Sequence, residues 1–215
     1  MKFHGYFRSS SSYRCRIAFN LKGLDYEFAS VHLVKDGGQQ KTPEFRALNP
    51  QGLVPALEVD GEVLTQSPAI LEWLDETYPE PALLPSDPLE KARVRAFTQV
   101  IACEIHPLQN LRVLQYLKGT YDQDQDSVNA WCQRWIGEGL AACEALLERQ
   151  NNGADFCFGD QPGMGDVYLM PQVFSAARFN VDLSAMPNIN RIAANCAKLD
   201  AFDKAHPSKQ PDAEA

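Results

Sequence analysis

The sequence predicts an α/β domain followed by an all-helical one. Three observations carry that prediction. Strand and helix patterns alternate through the first third of the chain in the order β-α-β-α-β-β-α. A proline-rich stretch, Tyr78-Pro79-Glu80-Pro81-Ala82-Leu83-Leu84-Pro85-Ser86-Asp87-Pro88, then interrupts the pattern. Beyond it no strong hairpin signal recurs, and the remaining segments read as helices. The 215 residues suffice for two small domains, expected at 1–83 and 89–215 with 84–88 as linker.

Each element has a local cause. Phe3 to Phe7 reads as a strand, and Ser11 to Lys22 as a helix whose apolar face includes Cys15, Ala18, Phe19 and Leu21, closed by Gly23. Tyr26 to Leu33 is a second strand, and Asp36-Gly37-Gly38-Gln39-Gln40 a loop. Thr42 precedes Pro43, a cap followed by a first-turn proline, so 42–48 reads as a short helix. Asp60-Gly61 between apolar runs predicts a hairpin. Ser67-Pro68 opens a helix to Tyr78, with Ser67 as the expected cap. Pro55 stands where a strand begins, and a cis Val54–Pro55 bond there would present the Val54 backbone as an edge. Later helices are expected over 90–119, 127–150, 165–179 and 188–205, with a frayed polar tail after Pro207.

Charge and composition narrow the function classes. The chain carries 20 Lys and Arg against 28 Asp and Glu, a net charge of −8, which disfavours a nucleic-acid partner. Arg8, Arg14 and Arg16 form a candidate local basic patch. No stretch approaches the ~20 apolar residues of a membrane span, and the N-terminus lacks a secretory pattern, so a cytoplasmic protein is expected. The 6 cysteines form no C-x-x-C pair and the histidines are scattered, so no metal site is expected. Buried apolar filling is the usual role of such cysteines, with Cys15 near the serine run the one to watch.

The chemistry-bearing residues cluster at helix starts. Ser9, Ser10, Ser11 and Ser12 lie where a strand gives way to a helix, and a helix N-terminus offers free N–H groups and a positive field. Such a site can cap itself, bind an anion or stabilise a thiolate. Arg8 precedes the run. Gln66-Ser67 marks a second helix start, able to cap its own helix or hold a carboxylate. Together with Val54, these features suit an elongated peptide-like ligand. In the helical half, His106 and Asn110 lie four apart and would share a helix face if Pro107 permits. Arg178 ends an apolar helix. Glu104 and the acidic run Asp122, Asp124 and Asp126 lack the pairing of glycosidase carboxylates.

The run Tyr6-Phe7-Arg8-Ser9-Ser10-Ser11-Ser12-Tyr13-Arg14-Cys15-Arg16-Ile17-Ala18 resembles the signature of the zeta class of glutathione transferases, the class that includes maleylacetoacetate isomerases. Lys35 to Gln40, Leu48-Asn49-Pro50, Val54-Pro55, Gln66-Ser67, Pro107 to Asn110, Arg178-Phe179 and Gln210-Pro211-Asp212 extend the likeness over nearly the whole chain. The resemblance implies a thioredoxin-like N-terminal domain, a helical C-terminal domain, a homodimer and glutathione as cofactor. It implies that Ser9 hydrogen-bonds the glutathione sulfur, that Ser10 and Ser11 line the same turn and that Gln40 meets the glycine end. Val54 would pair with the cysteinyl backbone, Gln66 and Ser67 would hold the γ-glutamyl carboxylate, and His106 and Asn110 would contribute from the helical domain. Two departures stand out. Ser11 replaces the family's usual Cys, so the sulfur must come from glutathione. Gly163 replaces the Ser or Thr three residues before Asp166, leaving that helix cap incomplete.

The implied reaction is cis–trans isomerisation of a maleyl-type dicarboxylate, with Arg8 and Arg178 clamping carboxylates. His106 favours maleylpyruvate as substrate, while the Asp36–Gln40 loop and the serine triplet favour maleylacetoacetate, the reading preferred here. Conjugation of haloacids by the same thiolate is an alternative reaction. A non-enzymatic binding protein is another, disfavoured because Ser9, Gln66 and Ser67 are all retained.

Overall fold

The computed structural model describes residues 1–150 and 153–214. In chain order its elements are β1 (Lys2–Gly5), α1 (Ser10–Leu21), β2 (Glu27–Ser30), α2 (Pro43–Leu48), β3 (Ala56–Val59), β4 (Glu62–Thr65), α3 (Ser67–Thr77), α4 (Pro88–Gln99), α5 (Leu111–Tyr121), α6 (Gln125–Gln150), α7 (Met164–Arg178), α8 (Pro187–Cys196) and α9 (Asp200–Ala205). They form two compact units, Met1–Ala82 together with the chain from Lys198 onward, and Leu83–Ala197. The sequence-based division assigned everything after 89 to the helical domain. The structure returns the segment after Ala197 to the first unit.

Among the described residues, the first unit holds one four-stranded sheet in the order β2-β1-β3-β4. β1 runs parallel to β2, and β3 is antiparallel to both β1 and β4. Adjacent strand residues point to opposite faces. Phe3 meets Phe19 of α1 and Tyr26 edge-on, with ring centroids 5.3 and 5.4 Å away. His4 turns the other way, toward Phe45 of α2. On that side Tyr6, Phe7, Val31, Phe45, Val54 and Ala56 form a buried cluster. The β3–β4 turn is closed by Asp60 and Gly61 with φ of 51° and 86°, the two left-handed residues such a hairpin needs. The Val54–Pro55 bond is cis, as is Glu80–Pro81.

The second unit is helical, with two differences from expectation. The helix expected over 90–119 is broken. After α4 the residues Val100–Ile105 are π-helical, Pro107 lies in the turn that follows, and Asn110 caps α5 through a bond from Arg112 N–H at 3.1 Å. The helix expected over 188–205 is likewise two, α8 in this unit and α9 in the first, because Leu199 is extended. On α6 the residues Ile136, Leu140, Cys143 and Leu147 recur every three or four positions and are fully buried. At the start of α7, Gly163 has no hydroxyl to offer, yet the helix start is closed. Asp166 accepts from Gly163 N–H with one oxygen and from Cys157 N–H with the other, both at 2.9 Å, and burial pushes its carboxyl upward from the ordinary range. Among the described residues no helix is long and apolar enough to cross a membrane, and no group of His, Cys, Asp and Glu could hold a metal ion.

Candidate active site

Ser9 occupies the N-cap of α1, with extended backbone and its Oγ accepting from Ser12 N–H at 3.2 Å. That bond satisfies one of the helix's free donors. The same Oγ lies 3.0 Å from Ser11 Oγ, and Ser11 Oγ donates to the Val54 carbonyl at 3.1 Å. A hydroxyl has a single proton. With the Ser11 proton on Val54 O, Ser9 is the donor in the first link, so the bonds run in one direction from Ser9 through Ser11 to Val54. Ser10, the first residue of α1, is buried beside them. Val54 N–H has no acceptor among the described residues.

The start of α3 is a second site of unused donors. Ser67 was expected to cap this helix. Instead Gln66 takes the cap position with φ of 68°, and no side chain caps the helix. A left-handed non-glycine residue here is local strain of the kind that collects at binding sites. Ser67 is the first helical residue, and its Oγ accepts from Arg14 Nη1 at 3.3 Å. The Gln66 side chain donates to Gln51 Oε1 at 2.6 Å. Gln40 donates to Leu33 O at 3.1 Å, while its buried Oε1 has no partner among the described residues. The first unit therefore presents an unpaired backbone donor at Val54, uncapped N–H groups at α3 and an orphan acceptor at Gln40. Those groups fit a peptide with a free carboxylate, the chemistry of glutathione.

The basic patch expected at Arg8, Arg14 and Arg16 does not exist. Arg14 and Arg16 are buried, and Arg8 alone is exposed. The Arg8 guanidinium lies 6.0 Å from the Tyr6 ring centroid and 5.6 Å from that of Phe7, a position held by cation–π attraction. Arg16 donates to the carbonyls of Ala205, Tyr6 and Phe7 at 3.0, 3.4 and 2.9 Å, and burial pulls its pKa down to about 10. Burial also pushes the Cys15 thiol up to about 12, so it stays protonated and inert. That leaves the chain without a thiolate of its own at the serine turn.

The remaining sequence-predicted residues belong to the second unit. His106 ends the π-helical stretch and Asn110 caps α5, so the two do not share a helix face as expected. Arg178 is the last residue of α7, exposed, with its guanidinium 5.5 Å from the Phe179 ring centroid. Asn110 is committed to its own helix start, and Gln109 beside it is buried against Gln172 at 2.9 Å.

Residues 8–77 match the family model described as the glutathione S-transferase N-terminal domain. Over 216 aligned residues the chain is 52% identical to the maleylacetoacetate isomerase of Pseudomonas aeruginosa, with all of both chains covered. The chain belongs to the zeta class of glutathione transferases, the maleylacetoacetate isomerase family. Its fold is close to that of a bacterial zeta-class maleylpyruvate isomerase solved in its holo form, at 50% identity, TM-score 0.96 and complete coverage of both chains. It is also close to a maleylacetoacetate isomerase from Methylobacterium extorquens AM1 solved with malonate and glutathione bound, at 39% identity, TM-score 0.94 and complete coverage.

Within this zeta-class fold, several residues appeared in the sequence only as members of a run or motif, with no part of their own assigned to them. Ser12 accepts from Tyr6 N–H at 3.4 Å, and Asn49 donates to Leu53 O at 2.7 Å just ahead of the cis bond. Arg14 was visible only as charge, and its burial beside Ser67 depends on a partner 53 residues away. Asp212 had no signal of any kind beyond the likeness of its tripeptide to the family.

Proposed function

We propose that this zeta-class chain catalyses the glutathione-dependent cis–trans isomerisation of maleylacetoacetate to fumarylacetoacetate. The observation that carries the reading is the directional chain from Ser9 through Ser11 to Val54 at the start of α1, beside the unpaired Val54 N–H. Bound glutathione supplies a thiol that adds reversibly to a conjugated double bond and so permits rotation about it.

The chain's own groups do the rest. Ser9 turns its hydroxyl from Ser11 to the sulfur and, with the positive end of α1, favours the thiolate. Ser10 and Ser11 line that turn. Val54 pairs with the ligand backbone, Gln66 and Ser67 hold the γ-glutamyl carboxylate at the α3 N-terminus, and Gln40 meets the glycine end. Arg8 and Arg178 bind substrate carboxylates, the task for which a guanidinium fork is suited. His106 and Asn110 supply hydrogen-bonding groups from the second unit. The same reading makes the protein a cytoplasmic homodimer acting on a small dicarboxylate.

A second substrate is favoured by a specific observation. His106 stands in this chain, and the maleylpyruvate isomerase is the solved neighbour at TM-score 0.96. The test is a panel of maleylacetoacetate, maleylpyruvate and a haloacid, each with and without glutathione. The proposal expects turnover of a maleyl substrate that vanishes without glutathione, fastest with maleylacetoacetate. Faster maleylpyruvate turnover moves the assignment to the second reading, and turnover without glutathione overturns both.

A further inference from the structure

The chain beyond α9 was expected to fray. It instead crosses the first unit and meets the turn that carries Arg8 and Ser9. Asp212 Oδ2 accepts from Phe7 N–H at 3.0 Å and from Ser30 Oγ at 2.9 Å. Glu214 pairs with His32 at 2.9 Å. Between them, Ala213 packs on the cluster that contains Tyr6, Phe7 and Val54.

The two ends of one peptide group are held by opposite charges. The Tyr6 carbonyl and the Phe7 N–H belong to the same peptide unit. Arg16 donates to that carbonyl at 3.4 Å, and Asp212 accepts from that N–H at 3.0 Å. The Tyr6–Phe7 dipole thus lies between a fully buried cation and a carboxylate, aligned with the field they create. Arg16 holds the next carbonyl, that of Phe7, at 2.9 Å. Ser9 N–H closes the turn onto the Tyr6 carbonyl at 3.0 Å. Rotation of the Tyr6–Phe7 peptide would therefore displace Ser9 directly and would swing Arg8, two residues beyond Tyr6. Loss of Asp212 also leaves Phe7 N–H, on a residue 8% exposed, with no acceptor.

We propose that Asp212 is a positioning residue, by which the C-terminal segment fixes the Tyr6–Ser9 turn and so sets the placement of the Ser9 hydroxyl and the Arg8 guanidinium. This rests on the reading of Ser9 as the thiolate-binding hydroxyl. Ser30 and Glu214 anchor the segment, and Arg16 opposes Asp212 across the peptide. Asp212 touches neither ligand in this account. Its effect passes through the backbone of residues 6–9.

The test uses the full chain with Asp212→Ala and Asp212→Asn. Asn keeps an oxygen that accepts from Phe7 N–H, while Ala removes it. Two readouts are taken: the thiolate absorbance of bound glutathione titrated against pH, and kcat and KM for the maleyl substrate over the same range. Asp212→Ala should shift thiolate formation to higher pH and lower kcat/KM by about tenfold, the scale of a modest misplacement of reacting groups. Asp212→Asn should recover most of both. A titration curve and kcat/KM unchanged in Asp212→Ala overturn the proposal. So does a loss that merely follows the fraction of folded protein, or an Asn variant as impaired as Ala. Failure of the parent protein to bind glutathione would instead remove the function proposed above, so the two failures are distinct.

Discussion

The first turn of α1 and the connection from α4 to α5 both carry predicted ligand-binding residues, and they are built in opposite ways. At α1, Ser9, Ser11 and Ser12 exchange bonds with one another, with Tyr6 and with Val54, while Arg16 and Asp212 hold the preceding peptide. The serine hydroxyls and the Tyr6–Phe7 peptide there have fixed partners in a largely buried setting, while the Val54 N–H, the Tyr6 hydroxyl and Asp212 Oδ1 are left without one among the described residues. The other connection passes through a π-helical stretch and a turn into α5, a helix that buries none of its residues. A satisfied buried network specifies one geometry, whereas an exposed helix over a turn tolerates many. The bonded hydroxyls of the first region hold one arrangement, whereas the exposed side chains of the second can adjust.

Ser9→Ala strikes the first region hardest. It should lower glutathione-dependent turnover by about a hundredfold, the scale of a lost donor to a developing anion. It should also cost about 1 kcal/mol of stability from the missing cap on Ser12 N–H. Kinetics and thermal unfolding measured together check both, and a stability loss with turnover intact would make Ser9 a cap and nothing more. Arg178→Ala acts in the second unit. It should lower kcat/KM for the dicarboxylate by about tenfold, as expected for one charge-assisted carboxylate bond, and leave the glutathione dissociation constant within about twofold. Equal losses in both would erase the distinction between the regions.

The smallest effect concerns the root of the C-terminal segment. His206 Nδ1 accepts from Ser208 N–H at 3.3 Å, which requires the neutral ring. Its pKa is lowered, chiefly by burial and also by Arg16 and Lys209, with Asp203 opposing them. A histidine depressed in the fold adds stability above its unfolded value, and that stability is lost as pH falls through the folded one. Unfolding midpoints should therefore decline slightly as pH drops below about 6.5. His206→Gln should flatten that decline, and an identical slope in the variant would exclude His206 as its source.

Legibility in the sequence followed the distance between partners. Ser9, Thr42 and the Asp60-Gly61 hairpin declare themselves because the bonds they make are local. Gln66 misled, because Ser-Pro reads as a cap plus first turn and nothing in the sequence reports a left-handed residue before it. His106 and Asn110 misled because periodicity does not reveal a π-helical insertion. Arg14 and Arg16 looked like surface charge, and their burial comes from partners 53 and 189 residues away. The family likeness supplied the ligand roles, but no local pattern pointed to Asp212, 205 residues from Phe7.

That separation has a consequence for synthesis. The Tyr6–Ser9 turn is among the first pieces of chain to emerge from a ribosome, and its clamp at Asp212 comes 205 residues later. At typical elongation rates the interval is on the order of ten seconds or more. Once Thr65 has followed, the four strands and α1 can assemble while Phe7 N–H still lacks its acceptor. The Tyr6–Ser9 turn is thus bonded from both ends of the chain, and a nascent first unit with its strands already in place still lacks the Asp212 contact.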